Sequence, residues 1–176
     1  MKKRVLSLLV DNTSGVLSRV AGLFSRRGYN IDSLTVGETA DPRYSRMTVV
    51  VNGDQQILDQ ITKQLAKLVD VVDIKQLKDG ESVCRELVLV KIRAKDTDRQ
   101  AILRVGRENR QDVMSIANIF RAKIIDVGVD SLIIELTGTE SKIEAFFKLL
   151  GDYEILELAR TGMTGLSRGA EDVRYL

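Results

Sequence analysis

Residues 4–31 read RVLSLLVDNTSGVLSRVAGLFSRRGYNI. Val5 to Val10 is an apolar run that stops at the polar turn Asp11-Asn12-Thr13-Ser14. From Gly15 onward Val16, Val20 and Leu23, flanked by Leu17, Ala21 and Phe24, recur at helical spacing. A strand therefore runs through a turn into a helix. The first N–H groups of a helix have no intrahelical partner, a glycine lets another backbone or a small ligand come close, and the Asn12 amide has two donors and an acceptor. Such a junction can grip an amino acid. The helix N-terminus attracts the carboxylate, by about 0.3 to 1 kcal/mol in exposed settings, and the Asp11 and Asn12 oxygens take the ammonium. The same residues also suit a plain cap, with Ser14 or Asp11 accepting from the first turn. The local sequence leaves both readings open.

The composition narrows the field. A chain of 176 residues with a hydrophobic share of 44% can bury one ordinary core or two small ones. Its formal net charge is only +2, with basic and acidic residues interleaved, so it lacks the basic field that drives binding to nucleic acid or anionic membranes. There is no apolar run of about 18 residues and no signal-type segment, since Met1-Lys2-Lys3-Arg4 leads into only a short apolar stretch before Asp11. A soluble, cytoplasmic protein is expected, and the lone Cys84 excludes an intramolecular disulfide. Histidine is absent. Without it, and with one cysteine, neither a Ser-His-Asp triad nor a Cys-His dyad nor an ordinary zinc site can be assembled, so no catalytic and no metal-binding residues are assigned. The run Gly165-Leu166-Ser167-Arg168-Gly169 matches a hydrolase nucleophile elbow, but its base is missing, and it reads as a chance match in a flexible tail.

Further along, Gly28 stops the first helix, and Tyr29 to Thr39 alternates with one break, which suggests a strand with a bulge. Ala40 to Ser45, with the only proline, Pro42, is an exposed connection to a second strand, Arg46 to Val51. Asn52-Gly53-Asp54 caps a helix expected from Gln55 to Leu68, and Val71 to Leu77 closes as a fourth strand. The order β-α-β-β-α-β is the ferredoxin-like arrangement. After the polar Lys78 to Ser82, Arg85 to Lys91 resumes a strand as Arg4 to Val10 did. A helical region follows, ending near Ala122, then strands at Lys123 to Val127 and Ser131 to Leu136, a helix burying Ile143, Phe146, Phe147 and Leu150, and a last strand from Tyr153 to Ala159. Arg4 and Arg85 are 81 residues apart, and Gly53 and Gly138 are 85 apart, so one fold occurs twice. The expected fold class is α+β, with two tandem ferredoxin-like βαββαβ domains at 1–77 and 85–161, a linker at 78–84 and a tail at 162–176. The second copy lacks a DNTSG-like turn, because Lys91 to Asp98 leads into a charge-rich stretch. There Arg99, Arg104, Arg107 and Arg110, with Glu108 and Asp112, read as a solvated helix face.

Taken together, RVLSLLVDNTSGVLSRVAGLFSRRGYNIDSLTVG, the strand entry Ser45-Arg46-Met47-Thr48, QLAKLVDVVDI, Arg85-Glu86-Leu87, IFRAKIIDV and Ala159-Arg160-Thr161-Gly162 resemble the regulatory (small) subunit of acetolactate synthase over nearly the full length. Each motif alone is common among ACT domains, and their order and spacing carry the resemblance. It implies an N-terminal ACT domain that binds a branched-chain amino acid, typically valine, and a C-terminal ACT-like domain. It also implies a non-catalytic subunit that activates a separate catalytic subunit and confers feedback inhibition in branched-chain amino-acid biosynthesis. This chain would hold no cofactor, and the thiamine diphosphate, Mg2+ and FAD of the reaction would belong to the catalytic partner.

Carried over, the effector loop falls on Asn12, Ser14, Gly15, Val16 and Leu17, with Asn30 and Ile31 from the facing strand of a dimer mate; Asp11 joins them because relatives often carry an acidic or polar residue there. The expected pose sets the carboxylate on the N–H groups near Gly15 and Val16, the ammonium on Asn12 and Asn30 oxygens, and the isopropyl group against Val16, Leu17 and Ile31. A homodimer is expected, since a small antiparallel sheet leaves an edge open to pairing. The rivals are a stand-alone amino-acid-sensing ACT protein without an enzyme partner and a ferredoxin-like RNA-binding module. Only eight Phe or Tyr residues are available to the latter.

Overall fold

A computed structural model describes residues 3–94 and 110–170. The first strand, β1 (Lys3–Asp11), is buried from Leu6 through Val10, because it lies inside a sheet covered on both faces. It leads into α1 (Val16–Arg26), then β2 (Ile31–Glu38), β3 (Tyr44–Asn52), α2 (Gln55–Leu65) and β4 (Val71–Leu77). All pairings are antiparallel, in the order β2-β3-β1-β4. The expected bulge is present in β2, where the register shifts between Ile31 and Ser33. Val16, Val20, Leu23 and Phe24 of α1, and Leu58, Ile61 and Leu65 of α2, pack on Leu6, Leu8, Val10, Met47, Val49 and Val51, so both helices cover one face. Asp54 starts α2 by accepting the Ile57 N–H at 2.9 Å. That helix ends at Leu65 rather than Leu68, with Leu68 part-buried against the core beyond it.

The second unit is Arg85–Thr161, and the first comprises the chain up to Cys84 and again from Gly162. β5 (Ser82–Arg93) begins inside the stretch read as a linker at 78–84: Ser82 to Cys84 are already extended, and only the turn before them connects. α3 (Arg110–Ile119), β6 (Lys123–Val127), β7 (Ser131–Gly138), α4 (Glu140–Leu149) and β8 (Ile155–Arg160) complete a second antiparallel sheet, ordered β6-β7-β5-β8. Its core joins Val88, Val90 and Ile92 to Leu132, Ile134, Leu136, Ile143, Phe146 and Leu150, with Phe147 at the margin. The buried Glu86 accepts two bonds from the Arg160 guanidinium, both at 2.7 Å, which satisfies a carboxylate that would be costly alone. Arg99, Arg104 and Arg107 lie outside the described residues. Arg110, expected on a solvated face, instead aims its guanidinium at the Ala94, Gly128 and Val129 carbonyls, at 3.2, 2.7 and 2.7 Å, and so clips α3 to the turn between β6 and β7.

The segment read as a flexible tail at 162–176 is, over its described part, an ordered return to the first unit. The Met163 N–H donates to Ser33 Oγ at 2.9 Å and the Thr35 hydroxyl donates to the Met163 carbonyl at 3.1 Å. β9 (Thr164–Ser167) lies against β3 and β4. The Gly165-Leu166-Ser167 stretch is therefore strand rather than loose chain. It meets the sheet at Leu77, which is buried. Such a backbone-led return has no signature in side-chain periodicity.

Gly165 is fitted closely: a Cβ there would sit 2.6 Å from Cys84 Sγ, 2.8 Å from Leu77 Cδ1 and 3.1 Å from the Val83 carbonyl oxygen. Gly165→Ala is expected to cost about 1 to 3 kcal/mol through overpacking, read as a lower urea midpoint by circular dichroism. An unchanged midpoint would mean that the returning chain adds nothing to the unit.

Candidate functional site

The site is built where β1 passes into α1. Gly15 is the N-cap residue and lies in the left-handed region at φ 83°, which glycine adopts without a Cβ penalty. No side chain caps the helix. The reading of Ser14 or Asp11 as a cap is thus corrected. The capping position falls on a residue without a side chain, and Ser14 stands one place too early for its oxygen to reach the first turn. The first helical bond runs from the Arg19 N–H to the Gly15 carbonyl at 3.0 Å. The N–H groups of Val16, Leu17 and Ser18 therefore precede the helical ladder, and no side chain caps them.

Asn12 is locked onto the loop between β2 and β3. Its N–H donates to the Arg43 carbonyl at 2.7 Å, Nδ2 donates to the Pro42 carbonyl at 2.9 Å, and Oδ1 accepts the Ser45 hydroxyl at 3.0 Å. One amide hydrogen and one Oδ1 lone pair remain. Ser45, almost fully buried, was not visible as a partner in the sequence, where it reads only as a strand entry. Asp11 pairs with Tyr44 in the sheet and donates its N–H to the Asp70 carbonyl at 2.9 Å. Ser14 is exposed. Val16 is 2% exposed, so its side chain belongs to the core, whereas Leu17 is 45% exposed and offers an apolar surface.

Asn30 and Ile31 lie elsewhere. Asp11 stands opposite Tyr44 and Ile31 opposite Val51, so seven residues of β3, about 23 Å at roughly 3.3 Å each, separate the two ends. One chain brings Asp11, Asn12, Ser14, Gly15, Val16 and Leu17 together and holds Asn30 and Ile31 at the opposite end of the sheet. There Asn30 Nδ2 donates to Asp32 Oδ1 at 2.7 Å, and Asn52 donates to the other Asp32 oxygen.

Arg19, one turn into α1, makes a two-pronged contact with Asp70, Nε to Oδ2 at 2.6 Å and one terminal nitrogen to Oδ1 at 2.8 Å. The Asp70 carboxyl is held below its ordinary 3.8 by the Arg19 hydrogen bonds, with burial opposing. A depressed carboxylate stabilises the fold above its unfolded value and loses that contribution as pH falls through the folded one. The stability gap between the wild type and Asp70→Asn, measured in urea, should be full at neutral pH and narrow below about pH 4. A gap that stays constant down to about pH 2 would show that the ion pair is not its source.

Among the described residues no cluster of three or more His, Cys, Asp or Glu could hold a metal, and no helix is long and apolar enough to cross a membrane. A four-stranded antiparallel sheet under two helices, with an uncapped helix start at the end of its first strand, defines a ferredoxin-like domain of the ACT kind. Residues 6–73 match the AHAS small subunit-like ACT domain, and residues 103–169 match the small subunit of acetolactate synthase. The chain is 46% identical over 166 residues to a probable acetolactate synthase small subunit from Methanothermobacter thermautotrophicus, covering 94% of this chain and 93% of that one. It is 47% identical to the acetolactate synthase isozyme 3 small subunit of Escherichia coli, covering 98% and 99%. The crystal structure of the acetolactate synthase small subunit from Thermotoga maritima superposes with a TM-score of 0.83 at 40% identity, over 97% of this chain and 99% of that one. The chain belongs to the family of acetolactate synthase small subunits: it is a regulatory, non-catalytic member of an enzyme complex, and its partner is a catalytic subunit.

Proposed function

We propose that this subunit binds valine, or another branched-chain amino acid, between the N-terminal domains of two copies, and that it both activates the catalytic subunit and makes it sensitive to that amino acid. The observation that carries this reading is the uncapped start of α1 at Gly15, beside the exposed Leu17 and the locked Asn12. The carboxylate takes the N–H groups of Val16 and Leu17, and the ammonium takes the remaining Asn12 lone pair. The side chain lies on Leu17. Asn30 and Ile31 come from the second copy, because their own chain holds them about 23 Å away along β3. The edge strand β2 is the route of pairing. Thiamine diphosphate, Mg2+ and FAD belong to the catalytic partner in this reading, and the complex is cytoplasmic.

Asn12 also suggests how occupancy reaches the partner. It holds the β2–β3 loop by two bonds and the start of β3 by a third, and that loop carries Arg43, forked to Asp41 at 2.6 to 3.1 Å and lying over the Tyr44 ring at 5.5 Å. An effector that uses the last Asn12 groups acts on the loop directly. Regulation requires differential affinity for two states, and the state that changes here is the setting of this loop against the catalytic subunit.

Calorimetry with valine should give binding by the wild type and none by Gly15→Asp. A new carboxylate there would enter the anion site and draw Arg19, whose nitrogen lies 2.9 Å from a Cβ position at Gly15. Circular dichroism must show the variant folded, and undiminished affinity would sink the assignment. With reconstituted enzyme, Arg43→Glu combined with Tyr44→Ala should lower activation of acetolactate formation while valine binding by the isolated subunit survives. Normal activation by that double variant would remove the loop from the interface.

A further inference from the structure

Arg19 has more to offer than its pair with Asp70. Two of its three nitrogens, Nε and one terminal nitrogen, are taken by the Asp70 carboxylate. The remaining terminal nitrogen, Nη1, meets no acceptor among the described residues and lies over Gly15, 2.9 Å from where a Cβ would stand. This places a cation beside the first turn of α1, whose N–H groups no side chain caps. The side chain is about half exposed, so the guanidinium is open to solvent. Asp70 holds the guanidinium by its far edge, which fixes its plane at little further cost in rotamer entropy. It also ties the guanidinium to the end of β1, since the Asp70 carbonyl accepts the Asp11 N–H at 2.9 Å.

We propose that Arg19 is a specificity-determining residue of the effector site, supplying the charged donor that recognises the α-carboxylate of the bound amino acid, with Asp70 as its positioning residue. The inference rests on the proposed reading of the Gly15 turn as the effector site and adds the residue that makes it demand an acid. A carboxylate bridging helix N–H groups and a guanidinium gains charge-assisted bonds that a neutral isostere cannot make. The site thereby discriminates against amino-acid amides and esters of the same shape.

The test is calorimetry on the full-length subunit with two probes, valine and valinamide, the latter keeping the ammonium and isopropyl groups but lacking the carboxylate. Arg19→Gln should weaken valine binding by roughly tenfold to a hundredfold and leave valinamide within about twofold, and Arg19→Lys should recover part of the loss. Asp70→Asn, which weakens the two positioning bonds but keeps the cation, should weaken valine by a smaller factor, about threefold to tenfold, and again leave valinamide within about twofold. Arg19→Gln that binds valine as the wild type does would overturn the assignment and leave the site itself standing. So would an Arg19→Gln loss that falls equally on valinamide, since Arg19 would then act only by holding Asp70 and the start of α1 in place. A wild-type protein that binds no branched-chain amino acid would overturn the site and this assignment together.

Discussion

The passage from β1 into α1 through a left-handed glycine is the constraint on which the candidate site depends. Because Gly15 occupies the capping position and has no side chain, no side chain caps the first N–H groups of the helix. Asn12, the residue nearest to helping, is turned away to hold the loop before β3. The positive end of a helix is thus left open next to a guanidinium already oriented by a carboxylate from another element.

The sheet order gives this junction its reach. With β1 and β3 in the centre, the loop before β3 falls beside the end of β1, so Pro42, Arg43 and Ser45 become neighbours of a residue some thirty positions earlier. The same order sends the start of β2 to the other end, because β1 and β2 run parallel with β3 between them. A site that uses both ends cannot be closed within one domain. The returning chain adds a second dependence: Gly162 to Arg168 covers the face opposite the helices, fixed to Ser33 and Thr35 of β2 and, through the Arg168 N–H, to the Glu81 carbonyl. The first unit is thereby completed by residues that follow the second in sequence.

Much of the architecture was legible beforehand because it is written in short-range periodicity. The bounds of β4 and β6, the inward residues of α1, α2 and α4, and the Asp54 cap each follow from spacing within a dozen residues. The misreadings share the opposite property. Arg110 looked solvated because its three acceptors are backbone carbonyls, which no sequence pattern marks. The stretch from Gly162 looked loose because glycines dock by backbone and close approach rather than by periodic side chains. The end of α2 fell three residues early because Leu68 finds the core from outside the helix.

The sequence by itself determined the two βαββαβ units, the absence of the common histidine-based and thiol-histidine chemistries, and the family, because hydrophobic period, composition and motif order are local or additive properties. It also located the Asp11 to Leu17 turn as the place of interest. Only the tertiary structure decided what that turn is: an uncapped helix start, with Val16 withdrawn into the core and Asn12 bound to a distant loop. It also decided that Arg19 meets Asp70 across 51 positions, and that Asn30 and Ile31 lie at the far end of the sheet. Those outcomes depend on strand order and register, which bring remote residues together or hold near ones apart, and no spacing along the chain encodes them.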